Sequence, residues 1–144
     1  MPSPLDSYAA YSRFLFDLLA EHRTIASHSL TIYTISPNVG TTRGQIIFHS
    51  GHVLHVYEQI DFVTHCIRAY SYELEYQGER LWWYDPMPHP DIPDLQSNHP
   101  HHKHVEPDIK HHRIPAPGLS FTHPNLPALI AEIEALETET SFSR

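Results

Sequence analysis

"GQIIFHSGHVLHVYEQI", residues 44–60, decides the fold. Two runs rich in β-branched and aromatic residues flank Ser50 and Gly51, and a glycine-containing two-residue turn between such runs signals a hairpin. Downstream, "HCIRAYSYELEYQGERLWWYDP" at 65–86 repeats the design around Gln77 and Gly78. Upstream, "LTIYTIS" at 30–36 alternates and is closed by "PNVG". Residues 30–85 therefore read as an antiparallel meander of about five strands, with connections short enough to keep neighbours paired. Alternation along the fourth strand places Arg68, Tyr70, Tyr72, Leu74 and Tyr76 on one side, with Ile67, Ala69, Ser71 and Glu73 on the other. Trp82, Trp83 and Tyr84 supply aromatics to both faces of the next strand. Core packing and cross-strand pairing account for most of these rings, and a base-stacking platform is the functional alternative for one or two.

The pattern changes on either side of the meander. Over 5–23, Tyr8, Tyr11, Leu15, Leu18 and Leu19 recur at helical spacing, with Asp6 or Ser7 placed to cap the first turn. Over 124–138, Leu126, Leu129, Ile130, Ile133 and Leu136 form a second stripe, with Asn125 or Thr122 as cap and Pro127 in the first turn. Nothing reads as a βαβ crossover, so the fold class is α+β, with both helices packed on one face of the sheet. At 144 residues the chain is expected to form one domain, 1–144. Its segment 86–118 is a long proline- and histidine-rich loop, in which "HHKHVEP" is readable as a short edge strand.

Composition narrows the function classes. A formal charge of −8 argues against nucleic-acid affinity from overall charge, so any anion site must be local. The single cysteine excludes an internal disulfide framework and cysteine-rich zinc modules. The apolar run "FLFDLLA" is broken by Asp17 and is too short for a bilayer, and "MPSPLDSY" has no basic leader. A soluble cytoplasmic protein without a cofactor is expected.

Within the loop, "SNHPHHKHVEPDIKHH" at 97–112 holds six of the fourteen histidines. Three readings compete for it: a metal site, an acid/base site and a solvated surface loop. Metal ligands are plentiful, but no zinc-enzyme or facial-triad spacing occurs. Two histidines beside Lys103 and an aspartate suit metal-independent RNA cleavage. One imidazole removes the 2′-hydroxyl proton, the other protonates the leaving oxygen, and a cation stabilises the phosphorane. Histidine titrates near neutral pH and can serve in either step.

"YSYEL" at 70–74, "RLWWYDPMPHPDIP" at 80–93 and "HPHHKHV" at 99–105, followed by an apolar helix, resemble the TumE family of small toxins. The resemblance covers roughly 45–137, and "PHHKHV" at 100–105 is its most specific part. It falls on Tyr70, Tyr72, Tyr84, Asp85, His89, Pro90 and residues 100–105. It departs where Pro86 and Met87 stand in place of an Asn-Ala pair, and where one of two histidines before Pro90 is missing. The resemblance implies a growth-inhibiting protein held in check by a cognate antitoxin, commonly of helix-turn-helix type, encoded by a neighbouring gene.

For the chemistry, His101 and His104 are the preferred acid/base pair and Lys103 the phosphate-facing cation. Asp85 is placed to orient one imidazole through its δ nitrogen. His89 is the spare proton-transfer group, and Arg68 and Tyr72 line the floor. The plainer reading of Asp85 is a turn cap at "DPM". His111, His112 and Arg113 read as a solvated run, and His49, His52, His55 and His65 need no function. Two other classes stay open: a non-catalytic binding module or diverged toxin, and a His/carboxylate metal-binding protein. Asp91, Asp94, Glu106 and Asp108 favour the former, because they would repel a phosphate backbone.

Overall fold

The computed structural model describes residues 3–85, 102–105, 113–116 and 118–142. His89, His101 and most of the Pro/His-rich segment lie outside the described residues. A single 3-10 turn, Pro4–Asp6, leads into α1, Tyr8–Glu21. Ser7 caps α1, its hydroxyl accepting from the Ala10 N–H at 3.0 Å, while the Asp6 carboxylate closes the preceding turn onto the Ser3 N–H. Tyr11, Leu15, Leu18 and Leu19 are buried as the stripe requires. Tyr8 leaves the stripe: it is 38% exposed, and its hydroxyl donates to the Ile32 carbonyl.

Among the described residues eight strands follow, all antiparallel: β1 (Ile25–His28), β2 (Thr31–Ser36), β3 (Val39–Phe48), β4 (His52–Asp61), β5 (Cys66–Tyr76), β6 (Glu79–Asp85), β7 (His102–Val105) and β8 (Arg113–Pro115). The sheet order is β1-β3-β4-β5-β6-β7-β8, and β2 shares the outer edge of β3 with β1. Where about five strands were expected, the described residues form eight. The additions, β1, β7 and β8, are three or four residues long, too short to show a hydrophobic period. Nor is β7 an edge strand, since it lies between β6 and β8; the proline falls on the edge, at Pro115 of β8.

Glycines set the turns. Gln77 and Gly78 both have positive φ (53° and 82°), as a type I′ hairpin turn requires. The β3–β4 connection uses three residues, 49–51, rather than two, with Gly51 at φ 96° donating to the Phe48 carbonyl. Gly44 answers to a different constraint. β1 pairs with residues 46–48 of β3 and β2 with residues 39–43, so the chain between them runs along that edge of β3 against Gly44. A Cβ there would stand 2.5 Å from the Ser29 carbonyl oxygen, and φ is +144°. Gly44→Ala is therefore expected to cost roughly 1–3 kcal/mol in backbone strain, with the clash added. A chemical-denaturation midpoint equal to that of the native chain would refute the assignment.

Two bulges re-aim side chains. Between β4 and β5 the register shifts so that Gln59 faces Ala69 but Ile60 faces Ile67, leaving Arg68 as the extra residue. Simple alternation had put Arg68 on the side of Tyr70 and Tyr72. The bulge instead buries Ile67 on that side and leaves Arg68 exposed. Between β5 and β6 the extra residue is Leu81.

The two helices among the described residues cover the same face. The second, α2 (Leu126–Phe142), buries Leu126, Leu129, Ile130 and Ile133 in one cluster with Tyr11 and Leu15 of α1 and Leu54, Tyr72 and Trp82 of the sheet. The Asn125 side chain does not cap α2. It closes the preceding turn, accepting from the Ser120 N–H and donating to the Ser120 carbonyl. Inside this apolar layer sits Glu58 of β4, 0% exposed, accepting from the hydroxyls of Tyr11 and Tyr72. Tyr72 accepts in turn from Asn125 Nδ2. Among the described residues no helix packs on the other face of the sheet.

Candidate functional site

The β6–β7 pairing builds the site. Trp83 faces His104, Tyr84 faces Lys103 and Asp85 faces His102 in the register. Side chains alternate across a strand, so Trp83, Asp85 and His104 share the open face while Tyr84, Lys103 and Val105 share the helix face. His104 stacks on the Trp83 ring at 3.8 Å between centroids and 20° between planes. Its Nε2 lies 3.1 Å from Asp85 Oδ2, and the Trp83 indole N–H donates to the same oxygen at 2.9 Å. The pair is sheltered, with the His104 side chain 2% and the Asp85 side chain 18% exposed.

Lys103 belongs to a different cluster. Its Nζ pairs with Glu132 Oε2 of α2 at 3.0 Å and lies over the rings of Trp82 and Tyr84. The Tyr84 hydroxyl donates to the other Glu132 oxygen. Burial, then the Glu132 carboxylate, holds that phenol well above its usual range. Lys103 and His104 are adjacent in sequence and on opposite faces of the sheet.

Of the residues singled out from sequence, Asp85 and His104 are brought together. The bond runs through Nε2 rather than the δ nitrogen. Tyr72 is fully buried in the Glu58 network, stacked on Tyr70 at 5.0 Å. Arg68 is exposed on its bulge, where its charge acts on Asp61. Tyr70, on the helix face, has its phenol raised by burial and then by the Asp85 carboxylate.

Trp83 and Arg80 are the residues that sequence reasoning missed. Arg80 stands over the Trp83 ring at 4.7 Å and pairs with Glu73 at 2.6 Å. The i, i+2 spacing of Trp83 and Asp85 on one strand was the available signal. Register lines up Gln45, His55, Glu73, Trp83, His104 and Arg113 as one row across the sheet. Among the described residues no group of three or more His, Cys, Asp or Glu side chains is gathered as a metal ion would need. Among them, too, no helix is long and apolar enough to cross a membrane.

Fold and site together define a small α+β protein with one helix-covered antiparallel sheet, whose open face carries an imidazole–carboxylate pair. The family model described as Toxin TumE matches residues 15–137, and the chain belongs to that family of toxins. The match begins in α1, upstream of the segment in which the motifs are concentrated. No curated protein and no solved structure matches the chain.

Proposed function

We propose that the chain is a growth-inhibiting cytoplasmic toxin that cleaves RNA without a metal ion. Its inhibitor would be a helix-turn-helix antitoxin encoded by a neighbouring gene. The observation that carries the reading is the Asp85/His104 pair, which comes from two strands and shares its oxygen with the Trp83 indole. In this reading Asp85 holds the imidazole at Nε2–H, and His104 takes the 2′-hydroxyl proton as that oxygen attacks phosphorus. A second group, for which His101 and His89 are the candidates, protonates the departing 5′ oxygen. Arg80, on the same face and paired with Glu73, is the candidate for the phosphorane charge, because Lys103 lies on the opposite face with Glu132.

A second reading has its own observation. At 2% exposure, ring-stacked and hydrogen-bonded, His104 also suits a clasp that pins β7 to the sheet of a non-catalytic binding protein. Induced expression of the native chain and of His104→Ala, at matched soluble levels and with total RNA followed, separates the two. Growth arrest with RNA loss in the native chain, both abolished in a folded variant and undiminished by EDTA in purified protein, is the expected result. Arrest by a folded His104→Ala chain equal to that of the native chain would sink the acid/base assignment.

A further inference from the structure

The open face holds a second feature, two strands away from the Asp85/His104 pair. Arg43 of β3 lies over the Tyr57 ring of β4 at 4.8 Å. The two residues pair directly in the register and line a groove of about 340 Å³ with Gln45, His55 and Ser71. This repeats, further along the sheet, the arrangement of Arg80 over Trp83.

Charge separates this patch from the rest of a molecule of net charge −8. Glu73, which also lines the groove, is paired with Arg80, Glu75 with His55, and Asp85 with His104. Arg43 has no carboxylate partner among the described residues, so its guanidinium is a cation available to an anionic ligand. A guanidinium plane on a tyrosine ring offers a base a stacking surface and a phosphate a hydrogen-bonding fork. Gln45, His55 and Ser71 add donors and acceptors for base edges. Stacking on such a surface needs an unpaired base, which excludes duplex.

We propose that the open sheet face binds single-stranded RNA across its strands, with Arg43 and Tyr57 holding a nucleotide away from the reacting phosphate at His104. From β4 to β7 is three strand spacings, about 14 Å, within the span of a few nucleotides. The inference rests on the reading of the chain as an RNA-acting toxin and names the form of substrate that the face selects.

The test is fluorescence anisotropy on the full chain with a labelled twelve-nucleotide single-stranded RNA of mixed sequence, and with its duplex. Arg43→Ala and Tyr57→Leu are each expected to weaken single-strand binding about tenfold. Arg43→Ala should also lower the salt dependence by about one phosphate contact. Arg43→Lys, which keeps the charge but loses the plane, should fall between. Arg13→Ala, on α1 and across the molecule, should bind as the native chain does. Native-like binding by folded Arg43→Ala and Tyr57→Leu, a preference for duplex, or no RNA binding at all would overturn the proposal. His104-dependent cleavage with unaltered binding by both variants would reject this face and leave the ribonuclease reading standing. Arg43- and Tyr57-dependent binding without cleavage would do the reverse.

Discussion

In the Asp85→Asn variant, RNA cleavage and growth arrest are expected to fall by about 10²–10⁴-fold while the protein remains folded. The asparagine keeps an acceptor for the Trp83 N–H, and so keeps the stack of Trp83 on His104. What it removes is the negative charge beside Nε2, which favours a protonated imidazole during proton transfer. An amide can also turn its donor toward Nε2 and stabilise the opposite tautomer. Thermal denaturation measured alongside separates this from the clasp reading. Lost activity at an unchanged midpoint is expected of an acid/base centre. Parallel loss of stability and activity, with an equal effect in Trp83→Leu, would assign the trio to holding β7 in place.

The second large effect concerns Glu58. Burial, opposed by the hydrogen bonds from Tyr11 and Tyr72, raises its carboxyl pKa above the usual range. The folded state then holds this proton at pH values where the unfolded chain has released it. Stability falls as pH rises from the ordinary glutamate pKa to the raised one, and is constant with respect to this group above it. Each pH unit of that window is worth about 1.4 kcal/mol. Glu58→Gln removes the titration and can still meet both hydroxyls, so it should match the native chain in acid and exceed it in stability at neutral pH. Tyr11→Phe should act in the opposite direction, costing about 1.5–3 kcal/mol at neutral pH by deleting a donor to the charged form, and less in acid. Denaturation midpoints followed from pH 4 to pH 8 decide the matter. Parallel profiles for native and Glu58→Gln chains would show that Glu58 has an ordinary pKa.

Local pattern and tertiary context divide the fold between them. The run from β2 to β6 was legible because its strands are long, alternate cleanly and are joined at Gly51 and Gly78, where left-handed backbone favours glycine. The helices were legible from their stripes and, for α1, from its cap. The Arg68 bulge was not, because one inserted residue leaves no trace in composition yet exchanges the faces of its neighbours. β1, β7 and β8 were missed or misplaced for a different reason. A three- or four-residue strand is specified by the partner it finds rather than by its own period.

The same division holds at the site. Sequence chemistry singled out both Asp85 and His104, with His101 as the partner of His104 and Asp85 set to orient one imidazole through its δ nitrogen. It also placed Lys103 with them, since adjacency in a loop implies nothing about faces. Once β7 pairs with β6, adjacent residues must point to opposite sides, and Lys103 goes to Glu132 on α2. Trp83 carried no mark distinguishing it from Trp82 until register put one ring on His104 and the other in the core.

The sequence by itself determined the class of fold, the order of the main elements and the family, because periodicity, turn residues and motif order are written along the chain. The tertiary structure alone decided which side chains meet: a single-residue bulge or a four-residue strand changes every face beyond it, and contacts between β6, β7 and α2 exist only after those choices are made.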